Sequence, residues 1–512
     1  MSEKITMFAS VYIGTSEISM KLFELSRSRK LRIIDYLRRR FDLGKETLRN
    51  GAIPALAMDE LCQCLMEYRR IMEGYGVENY SAYAGPFLES AINADFVLEQ
   101  VRIRTGLVAT ILSNTEQRFI SYKSAACRDD FDERVEQGAA VVDIGGDSIQ
   151  ITLFSGGEVV TTQHLILGTL RIRERLHDVL GTSQRGYRQQ IVELVDKEME
   201  VFKELYLKGS SLNYMILIGD YCTEIMKKVA KKKDAPEVDT KEFLKLANKL
   251  SDRNLAEVAK ELMLTNESDP RLLPTLLLTK RIAEVLKPEA VWVPGSNISD
   301  GIAYDFAQKK KIFPIRHDFD RDVRSAAIHM AKRYESYSAH VAAQVEICDI
   351  IFDAMKKVHG MGKRERLLLE TAAILHDCGK YISSVDAAMC SYNVIMYSEI
   401  MGISAQERSV VAASVKYNVH PLPPFEETEE RMDFETYMMV AKLSAILRLS
   451  NALDRSHRQK IRELKARRNG RELVLTVQTE DNIQLEKNVL SAKAEAFERV
   501  YGYLPVLKER RL

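Results

Sequence analysis

A chain of 512 residues is too long for one hydrophobic core, and its 46% hydrophobic and 29% charged residues are those of an ordinary globular protein with two to four domains. Lys and Arg number 74 against 73 for Asp and Glu, so a net charge of +1 excludes global attraction of polyanions; a phosphate ligand needs a local basic surface, and no nucleic-acid partner is expected. Seven cysteines without paired spacing exclude a disulfide framework, and Cys62-Gln63-Cys64 has the wrong interval for a zinc knuckle. With no signal-like start and no run of ~20 apolar residues, a cytoplasmic protein away from membranes is expected.

In chain order, the first element is half of a repeat. Tyr12-Ile-Gly-Thr-Ser-Glu-Ile-Ser-Met-Lys-Leu-Phe23 aligns without a gap on Asp143-Ile-Gly-Gly-Asp-Ser-Ile-Gln-Ile-Thr-Leu-Phe154, an offset of 131 (12 against 143). Each copy reads as strand, glycine turn, strand, and two such turns facing each other would clamp phosphate with backbone N–H groups. Gly14, Thr15, Gly145, Gly146 and Ser148 are therefore the candidate phosphate-binding residues. Between the copies the pattern predicts helices over Leu61–Tyr75 and Thr115–Ala126 and a strand over Ser81–Ala84. After the second copy come a strand through His164 and Leu165, a helix over Arg188–Tyr206 and a buried strand at Met215–Ile218. Trp292-Val293 then leads into a helix over Ser299–Lys311. Strands alternating with helices indicate an α/β architecture.

The pattern changes near Phe313-Pro314. Helical periodicity then dominates from Arg321 to Ser456, interrupted by a loop at Pro421, Pro423 and Pro424. The last stretch predicts paired strands at Glu472–Val477 and Asn482–Leu485 and a helix at Ala492–Tyr501. In the helical region His340, His376-Asp377 and Asp454 stand in the order of a hydrolytic metal site, because imidazole and carboxylate are its usual ligands. A charged pair closing the apolar helix Leu367–Leu375 is costly to bury unless paired or ligated. The alternative is a metal-free hydrogen-bonded network of the same residues. Lys227, Lys228 and Lys231-Lys232-Lys233, like Arg38-Arg39-Arg40, read first as solvated surface, and Cys378 as a buried thiol.

The helical region resembles the HD phosphohydrolases: a helix-borne His, His-Asp-x-Gly-Lys and a distal Asp. That likeness implies a divalent metal (Mn, Mg or Fe) held by His340, His376, Asp377 and Asp454, with Lys380 neutralising a phosphoryl oxygen. Asn418 and the segment Asp386–Asn393 replace histidines that related metal-rich members carry, which argues against a second metal. The N-terminal half resembles the actin-like ATPase superfold, and nearly the whole chain resembles the exopolyphosphatase/guanosine-pentaphosphate phosphatase (Ppx/GppA) family. The pieces are Ile13-Gly14, Ala91-x-Asn93, Thr105-Gly106-Leu107, Ser113-x-x-Glu116, Asp143-Ile-Gly-Gly146, Leu167-Gly168-Thr169 and Gly301 with Tyr304-Asp305.

The resemblance implies two actin-like α/β lobes, residues 1–126 with 299–311 returning to the first and 127–298 forming the second. An all-α HD domain over 315–460 and a small α+β tail over 461–512 follow. It implies phosphohydrolase activity on polyphosphate or a guanosine polyphosphate-like ligand, Mg in the N-terminal cleft, and a homodimer. The departures are substantial: Tyr12 stands where the family has a metal-binding Asp, Glu89 where it has an Arg, and Gln117 at the proposed catalytic base. Gln cannot take a proton at neutral pH, and Glu17, Glu89 and Asp147 oppose a phosphate chain by Coulomb repulsion. The third phosphate loop has become Ile218-Gly219-Asp220-Tyr221. A shifted register would make Glu116 the base. Two readings follow: a phosphohydrolase with a weakened N-terminal site and its chemistry at the HD metal, or a non-catalytic binding protein of the same fold.

Overall fold

The computed structural model describes residues 5–510 apart from 29, 42, 45–46, 48–50, 177–183, 208–210, 220, 230–236, 265–270 and 429–431. The chain forms two compact units, Met1–Asp318 and Phe319–Leu512. The change of pattern expected at Phe313-Pro314 thus falls slightly later, and Phe313 still packs into the first unit's core.

The first unit holds two mixed sheets with one plan. In the first, β1 (Thr6–Ile13), β2 (Glu17–Ser26), β3 (Lys30–Arg40), β4 (Asn79–Ala84) and β5 (Ala109–Ile111) lie in the order β3-β2-β1-β4-β5. In the second, β6 (Ala139–Ile144), β7 (Ile149–Ser155), β8 (Glu158–Leu165), β9 (Tyr214–Gly219), β10 (Glu237–Asp239) and β11 (Ala290–Trp292) lie in the order β10-β11-β9-β6-β7-β8. Set β10 aside and the second order repeats the first. The antiparallel meander is set by its short turns, and the parallel neighbours arrive through helical crossovers. Continuous apolar runs such as Ala140-Val-Val142 and Met215-Ile-Leu217 suit strands covered on both faces.

The repeat is faithful at the level of hydrogen bonds. Ile13 pairs with Ile18 and Ile144 with Ile149, while the Gly14 N–H donates to Glu17 O (2.8 Å) and the Gly145 N–H to Ser148 O (3.0 Å). Even the register slip is duplicated, between Leu22 and Phe23 in β2 and between Leu153 and Phe154 in β7.

Helices Ala55–Gly74 and Ala94–Thr105 turn Leu61, Leu65, Met72, Val97 and Val101 onto the first sheet. Helices Gln184–Tyr206 and Leu272–Leu286 cover the second sheet. Helix Ile298–Lys309 returns to the first sheet, where Ile302 and Ala303 join Phe8, Phe23 and Ile120. Buried Lys21 and Asp300 pair at 2.8 Å, and Lys123 with Asp305 at 2.7 Å, so each charge that this packing desolvates has a partner.

In the second unit, helices Phe319–Arg333, Ser338–His359, Lys363–Leu375, Ala387–Met396, Ala405–Tyr417 and Phe434–Leu453 form a bundle. A three-stranded sheet follows, β12 (Glu463–Asn469), β13 (Glu472–Gln478) and β14 (Leu504–Arg510), with helix Gln484–Tyr501 inserted before its last strand. The strand expected at Asn482–Leu485 is instead the start of that helix: Asn482 Oδ1 accepts the Gln484 N–H at 2.9 Å, a helix-opening contact. The partners of β13 are β12, whose sequence Glu-Leu-Lys-Ala-Arg-Arg-Asn is too charged to read as a strand, and β14 beyond Gly502.

Gly301 is the tightest contact between helices Ile298–Lys309 and Asn114–Ala126, because a Cβ there would lie 2.0 Å from Ile120 O. Gly301→Ala is expected to cost the first unit about 1–3 kcal/mol through overpacking. A urea titration followed by the fluorescence of Trp292, the chain's single tryptophan and fully buried in this unit, would show it as a lowered midpoint.

Candidate functional site

In the first unit the two glycine turns converge. A Cβ on Gly146 would stand 2.9 Å from Leu170 Cδ1 and 3.5 Å from Thr15 Oγ1, and one on Gly168 would lie 2.1 Å from Gly146 O. The N–H groups of Thr169, Leu170 and Arg171 point at the carbonyls of Gly145 and Gly146 (3.1, 2.8 and 3.2 Å), so the loop itself absorbs these donors.

The substituted positions are engaged with one another. Tyr12 Oη donates to Gln117 Oε1 at 2.9 Å, filling the space beside Gly85, where a Cβ would be 2.8 Å from the phenol oxygen. Asp147 is neutralised by Arg171 (Nε to Oδ1, 2.8 Å), and Arg271 donates to Ser16 Oγ. Glu116 closes a capping box: its Oε2 accepts from Ser113 N–H (2.9 Å) and Ser113 Oγ (2.7 Å), which commits that oxygen to the start of the helix. Asn93 of the Ala-x-Asn motif holds Ile53 through both backbone groups (3.0 and 2.9 Å), and Glu89 is exposed.

Arg118, 4% exposed, reaches from helix Asn114–Ala126 into the second turn. It donates to Asp143 O (3.1 Å), Ser148 O (2.6 Å) and Ser148 Oγ (2.7 Å) and pairs with Asp143 Oδ1 at 2.9 Å. Ser148, expected to face phosphate, spends its hydroxyl on this guanidinium. Asp143 Oδ2 is buried without a hydrogen-bond partner, which would suit a cation. Yet a hard cation wants several oxygen ligands, Tyr12 has replaced the second carboxylate, and Arg118 already supplies positive charge at the other oxygen. These residues do not fit the Mg expected in this cleft. Asp220 and Lys231-Lys232-Lys233 lie outside the described residues. Lys227 and Lys228 end helix Cys222–Val229, and Arg38-Arg39-Arg40 ends edge strand β3, with Arg39 3.2 Å from Glu67.

In the second unit three helix ends meet. His340 lies in the first turn of Ser338–His359, His376 closes Lys363–Leu375, and Asp454 closes Phe434–Leu453. Two helix C-termini present their negative dipole ends there, which favours a cation. His340 Nδ1 stands 2.7 Å from Asp454 Oδ2 and His376 Nδ1 2.8 Å from Ala373 O, so each Nδ1–H has an acceptor and each Nε2 keeps a bare lone pair. The two Nε2 atoms face each other at 3.2 Å. Asp377 lies 3.8 Å from the first and 3.5 Å from the second. Among the described residues, His340, His376 and Asp377 are the one group of three ligands able to converge on an ion.

Asp454 departs from the four-ligand set. It sits behind His340, its carboxylate held by Gln459 N–H (2.8 Å) and Nε2 (2.9 Å), and so orients the imidazole. Lys380 Nζ lies 2.6 Å from Asp377 Oδ2. Gly379 is required because a Cβ would be 2.1 Å from Ala387 O. His457, which sequence reasoning missed, stacks on His340 with ring centroids 3.6 Å apart and has its Nε2 3.5 Å from Lys380 Nζ. Its only sequence signal is its place three residues after Asp454.

Burial holds His376 below the usual imidazole range and His457 near 4, so the neutral forms prevail. Burial alone would raise Asp377, but its carboxyl sits below the usual carboxylate range, with the Lys380 ammonium 2.6 Å away. The Cys378 thiol is pushed up to about 12 by burial, which fits the packed, unreactive thiol expected there.

Comparisons with known proteins agree on one family. The model described as the Ppx/GppA phosphatase family matches residues 24–310, and that of Ppx/GppA phosphatase domain III matches 323–495. Guanosine-5'-triphosphate,3'-diphosphate pyrophosphatases are similar at full-chain scale. That of Vibrio atlanticus is 22% identical over 74% of each chain, and that of Photobacterium profundum 19% identical over 79% of each. The bifunctional 3-dehydroquinate synthase/phosphatase of Fusobacterium nucleatum is 26% identical over 32% of this chain, an alignment spanning a quarter of that protein. Among solved structures, the Aquifex aeolicus Ppx/GppA family member has a TM-score of 0.50 at 19% identity, covering 62% of this chain and all of its own. An exopolyphosphatase from Cytophaga hutchinsonii has a TM-score of 0.51 at 14% identity, covering 60% and all of its own. These share the actin-like fold of the first unit, followed here by a helix-rich C-terminal region. Among the described residues no helix is long and apolar enough to cross a membrane. With the family model matching more than half of the chain, this protein belongs to the Ppx/GppA phosphatase family, which acts on polyphosphate or guanosine polyphosphates and generally depends on divalent metals.

Proposed function

We propose that the protein is a phosphohydrolase of phosphoanhydride or phosphoester bonds whose chemistry has left the paired glycine turns and rests on one divalent cation in the second, HD-type unit. The observation that carries this reading is the 3.2 Å approach of His340 Nε2 and His376 Nε2, both with lone pairs inward. Two bare nitrogens at that distance repel, and either a metal or a proton carried by His340 relieves them; this reading takes the metal. Burial disfavours a proton on His376, so a metal is the better occupant. Of the Mn, Mg or Fe expected, a set of two imidazoles and one carboxylate with open positions suits Fe best and Mg, which prefers oxygen ligands, least.

When bound, such a cation polarises a phosphoryl oxygen and acidifies a water. The chain's own residues supply the rest. Asp454 fixes the tautomer of His340, and the Ala373 carbonyl that of His376. Lys380 carries the positive charge nearest the open side and can move from Asp377 to a phosphoryl oxygen. His457, neutral and half-exposed, roofs His340 and limits water above it.

A second reading, a non-catalytic protein that binds a phosphorylated metabolite in the first unit, draws on the Tyr12–Gln117 hydrogen bond and the Asp147–Arg171 pair. The first stands where a base and a metal ligand are expected, and the second places a neutralised carboxylate in the second glycine turn.

Purified wild-type protein is expected to carry about one transition metal per chain and to release phosphate under Mn²⁺ or Mg²⁺, with both lost in Asp377→Ala. A metal-free, inactive wild type would leave the binding reading in its place. Asp454→Asn should retain the fold and weaken metal affinity roughly 10–100-fold, measured by competition with a chelating dye. Gln117→Glu with Glu89→Arg should leave phosphate release from polyphosphate at the wild-type rate while Tyr12 fills the cleft. A higher rate that survives the further change Asp377→Ala would return the chemistry to the first unit.

A further inference from the structure

One helical turn from the polar centre of the second unit, a further buried polar contact joins two of the same helices. Gln344 lies one turn after His340 on helix Ser338–His359, and Ser450 one turn before Asp454 on helix Phe434–Leu453. Gln344 Nε2 donates to Ser450 O at 3.2 Å, and the Ser450 hydroxyl stands 2.6 Å from Gln344 Oε1 and 3.1 Å from Gln344 O. Both side chains are 0% exposed. The helices thus run antiparallel in one register, with His340 across from Asp454 and Gln344 across from Ser450.

Many other buried side chains of these helices are apolar, among them Val341, Ile347, Ile351, Leu443, Ile446 and Leu447. Apolar attraction has no direction and separates one register from the next only weakly. A slip of one residue moves a helix ~1.5 Å along its axis. It would leave the Gln344 amide and the Ser450 hydroxyl without partners in a dry interior, which is costly. The same slip would open the 2.7 Å contact between His340 Nδ1 and Asp454 Oδ2, which fixes the imidazole. A metal centre needs its ligands within ~0.5 Å of their working positions. A buried polar contact between helices can specify such a register, even where it adds no stability.

We propose that Gln344 and Ser450 are positioning residues for the metal centre: their buried hydrogen bonds set the helix register that holds His340 Nδ1 on Asp454 and aims its Nε2 at His376. Neither is a ligand, and their effect passes through His340. The proposal rests on the reading of His340, His376 and Asp377 as a metal centre, and it adds the residues that align it.

The test compares the full-length protein with the double variant Gln344→Met with Ser450→Ala, in which apolar atoms replace both partners. Its melting temperature by circular dichroism should stay at or above that of wild type. Its Co²⁺ affinity, read by competition with a chelating dye, should nevertheless fall roughly 10–100-fold. In the metal-free proteins, ¹⁵N-histidine spectra should show a proton on His340 Nδ1 in wild type and its partial loss from that nitrogen in the double variant. The signal is assigned by its disappearance in His340→Gln. Ser450→Thr, which keeps the hydroxyl, should preserve both properties. An unchanged Nδ1 proton in the folded double variant, or an affinity loss that only follows a lowered melting temperature, would overturn the proposal. Should the double variant not fold, Ser450→Ala carries the same readouts, and an unchanged His340 signal there overturns it equally. A wild type that binds no Co²⁺ would overturn the metal reading alone, and the His340 signal would then decide the register.

Discussion

The buried guanidinium of Arg118 holds the first unit's functional face together. It starts on a helix beside the first sheet and ends inside the turn of the second, where four contacts to Asp143 and Ser148 satisfy its donors. A buried charge of this kind is stable only while its partners stay in place. That requirement sets the second turn against helix Asn114–Ala126 and so places Gln117 beside Tyr12. The rest of the site inherits this arrangement. Ser148 faces inward, Asp143 keeps one unsatisfied oxygen, and the glycines of the second turn close against Gly168 and Leu170.

The second unit works by an opposite rule. Its polar centre is built from helix ends that meet, with histidines whose outer nitrogens are all spoken for and whose inner nitrogens are not. In the first unit the substituted side chains are largely paired with one another, Asp143 Oδ2 excepted; the second leaves two imidazole nitrogens facing. That contrast, more than the identity of any one residue, is why we propose the second unit as the seat of the chemistry. His457 and Asp454 add no further ligand. They hold His340 from above and behind.

Much of the fold was legible in the sequence because it is written twice. The copies at Tyr12–Phe23 and Asp143–Phe154 share length, glycine position and alternation, so each strengthened the reading of the other. Strand β12 was not legible, since an edge strand with Arg467 and Arg468 toward solvent has no apolar alternation to read. His340, His376 and Asp377, which the fold brings within reach of one another, could be grouped from order and spacing. The place of Asp454 behind His340 could not, because ligand and orienting carboxylate look alike in one dimension. Gln117 was readable as a lost base, but its hydrogen bond to Tyr12 joins positions 105 apart in the chain and appears only in the folded protein.

The shared slip at Leu22/Phe23 and Leu153/Phe154 reaches beyond geometry. A bulge adds twist at a fixed point, so the outer pairs β2–β3 and β7–β8 twist alike whatever side chains the glycine turns of β1–β2 and β6–β7 display. Architecture and chemistry are thereby uncoupled: the scaffold is specified by strand interiors and one irregularity, and the loop residues are free to drift. A lineage built on this plan can change its loop residues without losing its shape, which is how a chain can remain recognisable to relatives that share only 22% and 19% of its residues over the aligned length.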